Sequence, residues 1–206
     1  MTINTIASHE QILHFQKGRK PHLSANEWLI WSGSQDEAEN ILFHDLERSQ
    51  FKKVLVPFKW WRSQLEGHHN EADIEAKAKL GQMGVWFAAD DDILKYADLI
   101  EEGKQYWPLV AAHFPIFRDG RSFSTAALLR DRFQWDTEIR AIGDVLIDQL
   151  LQGARVGFDS FALRPDQKTD VALKQFDLFT VSTQNSWRGA RTLLQSAPSE
   201  ANLVHS

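Results

Sequence analysis

Short hydrophobic blocks alternate along this chain with longer stretches that have the composition and spacing of helices. Five blocks are typical of buried strands: residues 51–58 (FKKVLVPF), 84–89 (GVWFAA), 108–117 (PLVAAHFPIF), 138–143 (EIRAIG) and 160–164 (SFALR). Helical patterns follow these blocks at residues 60–80, 93–102, 124–133, 144–154 and 169–179. Repeated β-α units of this length predict a parallel sheet with right-handed crossovers.

The predicted fold class is therefore α/β, with a mostly parallel sheet of about five strands. Five strands are too few for a closed eight-stranded barrel, which usually needs about 250 residues. Two architectures remain open, a doubly wound open sheet and a partial barrel similar to part of a TIM barrel. Before the first block, apolar stretches at residues 12–15 and 28–31 flank a polar, turn-rich run. This pattern predicts an N-terminal antiparallel arm or hairpin.

The chain has 206 residues, which fits one domain better than two. We expect residues 1–50 to form the arm or hairpin, packed on an α/β core domain of residues 51–185. Residues 32–50 are mostly polar and have room for a helical turn. Residues 186–206 are polar, contain Pro198 and predict a loose C-terminal tail.

Composition excludes several classes of protein. The net charge of -5 and the scattered basic residues argue against binding to nucleic acid or to an anionic membrane. The sequence contains no cysteine, so it has no disulfides and no Cys-ligated iron–sulfur cluster, and any redox role would need a borrowed electron carrier. No stretch approaches the roughly 20 apolar residues of a membrane span, and the first residues do not resemble a signal peptide. We therefore expect a soluble, cytoplasmic protein.

Candidate chemistry lies where the predicted parallel strands end, because ligands gather at the carboxyl edge of such sheets. The loop after the third block contains Arg118, Asp119, Gly120 and Arg121, and a predicted helix follows it. Backbone N–H groups at that helix start, with Arg118, Arg121, Ser122 and Ser124, would suit a small anion. The alternative is that Arg121 pairs with Asp119 and only fixes the loop.

Two further clusters follow the fourth and fifth blocks. Asp144 and Asp148 are four residues apart on a predicted helix, so they could hold a cation or act as an acid/base pair, unless Asp144 is only the helix cap. Arg155 and Asp159 flank the last turn, and Arg164 is expected near a strand end within reach of the anion loop. The candidate catalytic residues are thus Asp119, Asp144 and Asp148, and Arg164 joins the candidate anion ligands.

Other motifs are absent or weak. His68 and His69, with Glu71 and Asp73, lack the spacing of a helical zinc site, so we predict no metal. The run Asp90 to Asp92 lacks the alternating ligands of an EF-hand loop. The sequence contains no glycine-rich nucleotide motif and no serine-hydrolase motif, so it assigns no cofactor.

Three segments carry a family resemblance: FPIFRDGRSFSTAALLRDRF, EIRAIGDVLIDQL and RVGFDSFALR. They are similar to the core of an uncharacterised bacterial family, domain of unknown function 934, and the resemblance covers residues 54–184. The chain departs from that family at Ser122-Phe123, where relatives usually have Gly-Tyr, and at His113, where an acidic residue is common. No catalytic residue is established for the family.

The resemblance implies a place in assimilatory sulfite reduction, because members are often encoded beside sulfite reductase and are labelled oxidoreductases of that process. Two hypotheses follow. In the first, the chain is an accessory protein that docks on sulfite reductase or on its electron donor. In the second, it is an enzyme that binds a small anionic substrate or a phosphate-bearing cofactor at the Arg121 loop, and the family label would make it an oxidoreductase.

Overall fold

A computed structural model describes residues 5–16, 19–33, 53–67 and 71–177. In these ranges the chain forms a mixed α/β fold around one eight-stranded, mostly parallel sheet. The strands are β1 (Gln11–His14), β2 (His22–Ala25), β3 (Trp28–Ile30), β4 (Lys53–Pro57), β5 (Met83–Phe87), β6 (Leu109–Phe114), β7 (Glu138–Gly143) and β8 (Ser160–Phe161). The helices are α1 (Phe58–Gly67), α2 (Glu71–Lys79), α3 (Ala97–Gly103), α4 (Arg121–Asp131), α5 (Leu150–Val156) and α6 (Thr169–Lys174). Short 3-10 helices cover Ile93–Tyr96, Ile147–Gln149 and Gln175–Asp177.

The strands β3 to β8 lie side by side in chain order, and each pairs in parallel with the next. The antiparallel pair β1 and β2 extends the sheet beyond β8. The α/β class and the mostly parallel sheet are thus confirmed, whereas the predicted count of about five strands is too low. The strand order never reverses, so the sheet lacks the switch point that defines a doubly wound fold.

An N-terminal hairpin forms as predicted, but its second strand is a different segment of the chain. Residues 12–14 of the first apolar stretch belong to β1, but β1 pairs with β2, where Leu13 lies opposite Leu23. The second apolar stretch, residues 28–31, contains β3, which pairs in parallel with β4 at the opposite edge of the sheet. Every residue of β3 is buried, as a parallel strand covered on both faces requires, whereas most of β2 is exposed.

The segment of residues 5–10 closes the open side of the sheet. The Ile6 N–H donates to the Ile30 carbonyl at 2.9 Å, and the His9 N–H donates to the Leu163 carbonyl at 2.8 Å. Three residues of extended chain span only about 10 Å, whereas six flat parallel strands would separate β3 from β8 by roughly 24 Å. The sheet is therefore curled into a half barrel, and this segment crosses its opening.

The two faces of the sheet have separate hydrophobic cores. The helices cover the outer face, where Trp61, Trp107 and Trp135 are fully buried. The concave face is lined by strand residues such as Trp28, Trp86 and Ile142. Most tryptophans of the chain are thus core residues, since Trp28, Trp31, Trp61, Trp86, Trp107 and Trp135 are all less than 10 % exposed.

Several helix boundaries differ from the predicted ones. The helix predicted over residues 124–133 begins at Arg121, so Ser122 and Ser124 lie in its first turn and do not cap it. The helix predicted over 144–154 begins with the 3-10 turn Ile147–Gln149, so Asp144 precedes it and does not share a helical face with Asp148. The predicted helix at 60–80 is split into α1 and α2. The predicted helical turn in residues 32–50, apart from 32 and 33, and the predicted tail of residues 186–206 lie outside the described residues.

Candidate functional site

The loop between β6 and α4 exposes apolar side chains. Ile116 is 50 % exposed and Phe117 is 47 % exposed. The Phe117 N–H donates to the Asp144 carboxylate at 2.8 Å, and the Gln149 side-chain amide donates to the Phe117 carbonyl at 2.8 Å. A turn bond from the Asp119 N–H to the Ile116 carbonyl, at 2.9 Å, closes the loop. These bonds fix the backbone while the two apolar side chains point to solvent.

Asp119 and Arg121 form a bidentate ion pair at the end of this loop. The Arg121 Nη2 lies 2.6 Å from Asp119 Oδ2, and its Nε lies 3.0 Å from Oδ1. The same carboxylate accepts the Arg121 backbone N–H at 3.2 Å. Hydrogen bonds from the Arg121 side chain, and then from its backbone, lower the pKa of Asp119 to about 2. An anion at the start of α4 would therefore compete with a carboxylate of the chain itself.

The first loop contains three other predicted anion ligands, which differ in whether their side chains are exposed to a ligand from solvent. Arg118 is exposed, and its guanidinium lies 5.9 Å from the centre of the Phe117 ring. Ser122 is fully buried, and its hydroxyl donates to the His113 carbonyl at 2.6 Å. Ser124 lies on the exposed side of α4. The Ser122 hydroxyl therefore ties the helix to β6, while the Arg118 and Ser124 side chains face solvent.

Asp144 connects the first loop to the end of β8. One of its carboxylate oxygens accepts the Phe117 N–H, and the other accepts the Arg164 Nη1 at 2.8 Å. Arg164 also donates to Asp166 through Nε at 2.7 Å and Nη2 at 2.9 Å. Hydrogen bonds to Asp166 and Asp144 raise the pKa of Arg164, and the reciprocal bond from Arg164 lowers that of Asp166 to about 2. Two carboxylates thus neutralise the one guanidinium.

The structure brings the ends of β6, β7 and β8 together, since Phe117, Asp144 and Arg164 form one chain of contacts. It separates the other predicted residues from them. Asp148 is exposed on the 3-10 turn. Asp159 lies just before β8, at the amino edge of the sheet, where it pairs with Arg130. Arg155, on α5, hydrogen-bonds to Gln152 at 3.1 Å.

Gly143 makes the approach of the β6 and β7 ends possible. Its φ of +93° lies in the left-handed region that favours glycine, and a Cβ added there would lie 2.4 Å from the Phe114 carbonyl oxygen. The Asp144 N–H donates to that same carbonyl at 2.8 Å. Gly143 therefore aims the Asp144 carboxylate at the loop.

A cavity that sequence reasoning missed lies at the carboxyl ends of β3, β4 and β5. Its volume is about 260 Å³. Its described lining consists of Ser32, Gly33, Pro57, Lys59, Trp60, Trp86, Ala88, Asp90 and Asp91. One sequence feature could have pointed to this cavity, the position of Lys59-Trp60 and of Asp90-Asp91 directly after two strand blocks. Strand order, which the sequence does not give, is needed to place these pairs side by side.

Two half-buried titratable groups belong to this edge of the sheet. His113 contacts Trp86 at 5.2 Å between ring centres, and burial lowers its pKa. Burial raises the pKa of Asp91, although its carboxylate accepts the Ala88 N–H at 2.7 Å. His113 is thus neutral at neutral pH, and Asp91 is a weaker acid than an exposed aspartate.

The described residues contain neither a metal-binding cluster nor a membrane-spanning helix. Within the described ranges, no group of three or more histidine and acidic side chains is arranged to hold a metal ion. His68 and His69 lie outside those ranges. Among the described helices, none has the length and apolar character needed to cross a membrane. The sequence has no cysteine and therefore no disulfide.

Comparison with known proteins gives one match. A family model described as "Bacterial protein of unknown function (DUF934)" matches residues 84–194, which are 111 of the 206 residues. No curated protein matches the chain, and no solved structure matches it. The matched segment runs from β5 to beyond α6 and so contains the β6, β7 and β8 ends described above. The chain belongs to this family of bacterial proteins, whose function is unknown.

Proposed function

We propose that the chain is an accessory protein of assimilatory sulfite reduction, which docks on sulfite reductase or on its electron donor. The link to sulfite reduction comes from the family resemblance. The docking surface comes from one observation, the exposed and rigidly held loop of Pro115, Ile116, Phe117 and Arg118, which we name the docking loop.

The chemistry of the docking loop suits recognition of a protein. Aromatic residues and arginine are the side chains that most often dominate binding at protein interfaces. Association normally costs free energy to order loops and side chains, and the bonds from Asp144 and Gln149 have already ordered this backbone. A partner with an apolar cleft and an acidic rim would cover Ile116 and Phe117 and pair with Arg118.

The charges beside the loop favour docking over acid–base chemistry at the same residues. Asp119 and Asp166 have pKa values of about 2 because arginines hydrogen-bond to them. An efficient general base needs a pKa near the working pH, so these carboxylates are poor proton acceptors. Arg121 and Arg164 are both paired with carboxylates. These ion pairs thus hold the docking loop in its conformation.

Gene replacement in the source bacterium tests this proposal. Deletion is expected to impair growth on sulfate or sulfite but not on cysteine, and the wild-type chain should restore growth. The double substitution Ile116→Ser/Phe117→Ser should fail to restore it and should lose binding to purified sulfite reductase or its electron donor. Equal growth of the deletion strain on all three sulfur sources would refute the link to sulfite reduction.

The matched control removes the same kind of exposed surface elsewhere. Leu80 and Val171 are 72 % and 39 % exposed and lie outside the docking loop. The variant Leu80→Ser/Val171→Ser should bind and restore growth like the wild type. If both double variants behave alike, the docking loop is not the interface.

A second proposal is an anion site at Arg121, which belongs to an enzyme hypothesis. Two observations favour it. Arg121 is the first residue of an 11-residue helix, and 59 % of the Arg121 side chain is exposed to solvent. Because Asp119 occupies the guanidinium, Asp119→Asn should raise the affinity for sulfite or phosphate in a calorimetric titration, and Arg121→Ala should abolish binding. Absence of binding by both the wild type and the Asp119→Asn variant would exclude the site.

A further inference from the structure

The cavity at the ends of β3, β4 and β5 carries exposed charged groups of both signs that form no salt bridge within the described residues. Lys59 is exposed and forms no salt bridge with any residue in the described part of the chain. Asp90 is likewise exposed and makes no hydrogen bond or salt bridge within those ranges. This differs from the docking-loop side of the edge, where Asp119, Asp144 and Asp166 all pair with arginines.

The anion-favouring side of the cavity is the start of α1. This helix has 10 residues and begins at Phe58, directly after β4. Its first turn contains no acidic residue, so no carboxylate of its own offsets the partial positive charge there. Lys59 adds a full positive charge at the same place. The N–H groups of the first turn and the Lys59 ammonium together favour an anionic group.

The cation-favouring side is the turn after β5. Asp90 and Asp91 are adjacent, and Asp91 is held in place because its carboxylate accepts the Ala88 N–H. The indole of Trp86 forms one wall, and its Nε1 donates to the Trp31 carbonyl at 2.8 Å. Trp60 forms another wall, perpendicular to Trp31 at 5.2 Å between ring centres. Carboxylates beside indole rings are the surroundings that bind ammonium groups.

The size of the cavity fits a small ligand. Its volume of about 260 Å³ is below the roughly 300–1,000 Å³ of sites for drug-sized molecules. The cavity therefore suits a molecule of about the size of one amino acid. Trp60, Trp86 and Pro57 leave apolar surface between the two charged sides for a short hydrocarbon portion.

We propose that this cavity binds a small zwitterion, of the class of the free amino acids, whose ammonium group faces Asp90 and Asp91 and whose anionic group faces Lys59 and the start of α1. The inference stands apart from the proposed docking function, because it uses different residues and needs no partner protein. The two surfaces are neighbours on one edge, since the cavity lies at the end of β5 and the docking loop follows the end of the adjacent strand β6.

The ligand class is tested on the full-length wild-type chain. Each common L-amino acid is titrated by calorimetry and by tryptophan fluorescence, to which Trp60 and Trp86 contribute among the eight tryptophans of the chain. For any that binds, two analogues are then tested, the amine that lacks the carboxylate and the acid that lacks the amine. We expect at least one amino acid to bind, and each analogue to bind about tenfold more weakly or worse, as the loss of a charge-assisted hydrogen bond predicts.

Two variants then assign the ends of the ligand. Asp90→Asn should weaken binding of the zwitterion and leave the residual affinity for the acid analogue unchanged. Lys59→Met should weaken the zwitterion and leave the amine analogue unchanged. A merely structural role of either residue would not produce this crossed pattern. The matched controls are Asp98→Asn and Lys95→Met, which remove the same charges from exposed positions outside the cavity.

The proposal is overturned if no amino acid binds, if an analogue binds as well as the zwitterion, or if the cavity variants bind like the two controls. Because Lys59 and Asp90 are exposed, we expect both variants to fold, as far-UV circular dichroism would verify. If either unfolds, the comparison of zwitterion and analogues on the wild type still decides the ligand class. Failure of these titrations leaves the docking-loop experiment unaffected.

Discussion

Arg130 shows how a single buried charge organises the amino edge of the sheet. Its side chain is almost fully buried, and it donates to the Gly157 and Thr137 carbonyls at 3.0 Å each. It also hydrogen-bonds to the Trp135 carbonyl and pairs with the Asp159 carboxylate. Asp159 in turn accepts the Ile139 N–H at 3.1 Å. This one guanidinium thus joins α4 to the segments that begin β7 and β8.

Arg130→Met is expected to lower the free energy of unfolding by about 3–5 kcal/mol, because it breaks a buried ion pair by removing the guanidinium that pairs with the Asp159 carboxylate. Urea unfolding monitored by tryptophan fluorescence would measure the loss. The control is Arg132→Met, an exposed arginine two residues away, which should change stability little. The double variant Arg130→Met/Asp159→Asn should recover part of the loss. Equal effects of Arg130→Met and Arg132→Met would contradict this account.

At the scale of elements, the turn after β7 decides whether the docking loop is held. Gly143→Ala places a methyl group 2.4 Å from the Phe114 carbonyl oxygen on a backbone with φ of +93°. We expect a loss of about 1–3 kcal/mol in the free energy of unfolding. We also expect the Phe117 N–H to lose its bond to Asp144, so that its amide exchanges hydrogen faster.

Gly120→Ala is the matched control for this substitution. Gly120 lies at the start of α4 with φ of −83°, and an added Cβ would come no closer than 3.8 Å to a neighbouring atom. Its stability should therefore stay close to that of the wild type or rise slightly. If Gly143→Ala were as stable as Gly120→Ala, with unchanged exchange at Phe117, the turn would not be controlling the loop.

The elements that the sequence predicted best carry their signal locally. The strand predicted over residues 138–143 is β7 with the same boundaries, because its apolar residues end at a glycine that turns the chain. The predicted β4, β5 and β6 are shifted or shortened by a few residues. The strand β3 was assigned to the wrong partner, since three apolar residues do not reveal whether they pair with β1 or with β4.

The same limit applies to the candidate site. Asp119 and Arg121 are two residues apart, so their pairing was foreseeable as an alternative to an anion site. The contact of Asp144 with Phe117 joins residues 27 positions apart and follows only from adjacent parallel strands. The cavity brings Lys59 and Asp90 together from the ends of two neighbouring strands. The segment that crosses the opening of the sheet connects residues still farther apart in sequence, such as His9 and Leu163. Such pairings depend on strand order and curl, which residue spacing does not encode.

At the scale of the whole molecule, the half barrel buries imidazoles that make its stability depend on pH. Burial is the main cause that lowers the pKa of His14, which lies on β1 near Glu138 and Arg140. Burial likewise lowers the pKa of His113, on β6. Both side chains are therefore neutral in the folded chain at neutral pH. In the unfolded chain both return toward the ordinary value of 6.5.

The direction of the pH effect follows from these shifts. A histidine whose pKa is lowered by folding binds its proton more readily when unfolded, so its contribution to stability is present above 6.5 and is lost as the pH falls below that value. Three carboxylates also have lowered pKa values. At Glu138 desolvation raises the pKa, but Arg140 and Ser160 together lower it by more. The pKa values of Asp119 and Asp166 are lowered by hydrogen bonds from Arg121 and from Arg164, in that order. Their contributions are lost at lower pH, below their ordinary values of 4.5 and 3.8. Asp91, whose pKa is raised by burial, acts in the opposite direction in that lower range.

We therefore expect the free energy of unfolding to decline in two stages as the solution is acidified. The first stage lies below about pH 6.5, where the histidines take up protons on unfolding. The second lies below about pH 4.5, where the carboxylates take up protons on unfolding. Urea unfolding at a series of pH values between 8 and 5 would isolate the first stage. The double variant His14→Gln/His113→Gln should remove it, because a neutral amide has no proton to gain, and it should leave the second stage in place. The amide of glutamine also keeps a donor for the Ser24 hydroxyl, which lies 2.8 Å from the His14 Nε2. A first stage that persists unchanged in the double variant would show that other groups cause it.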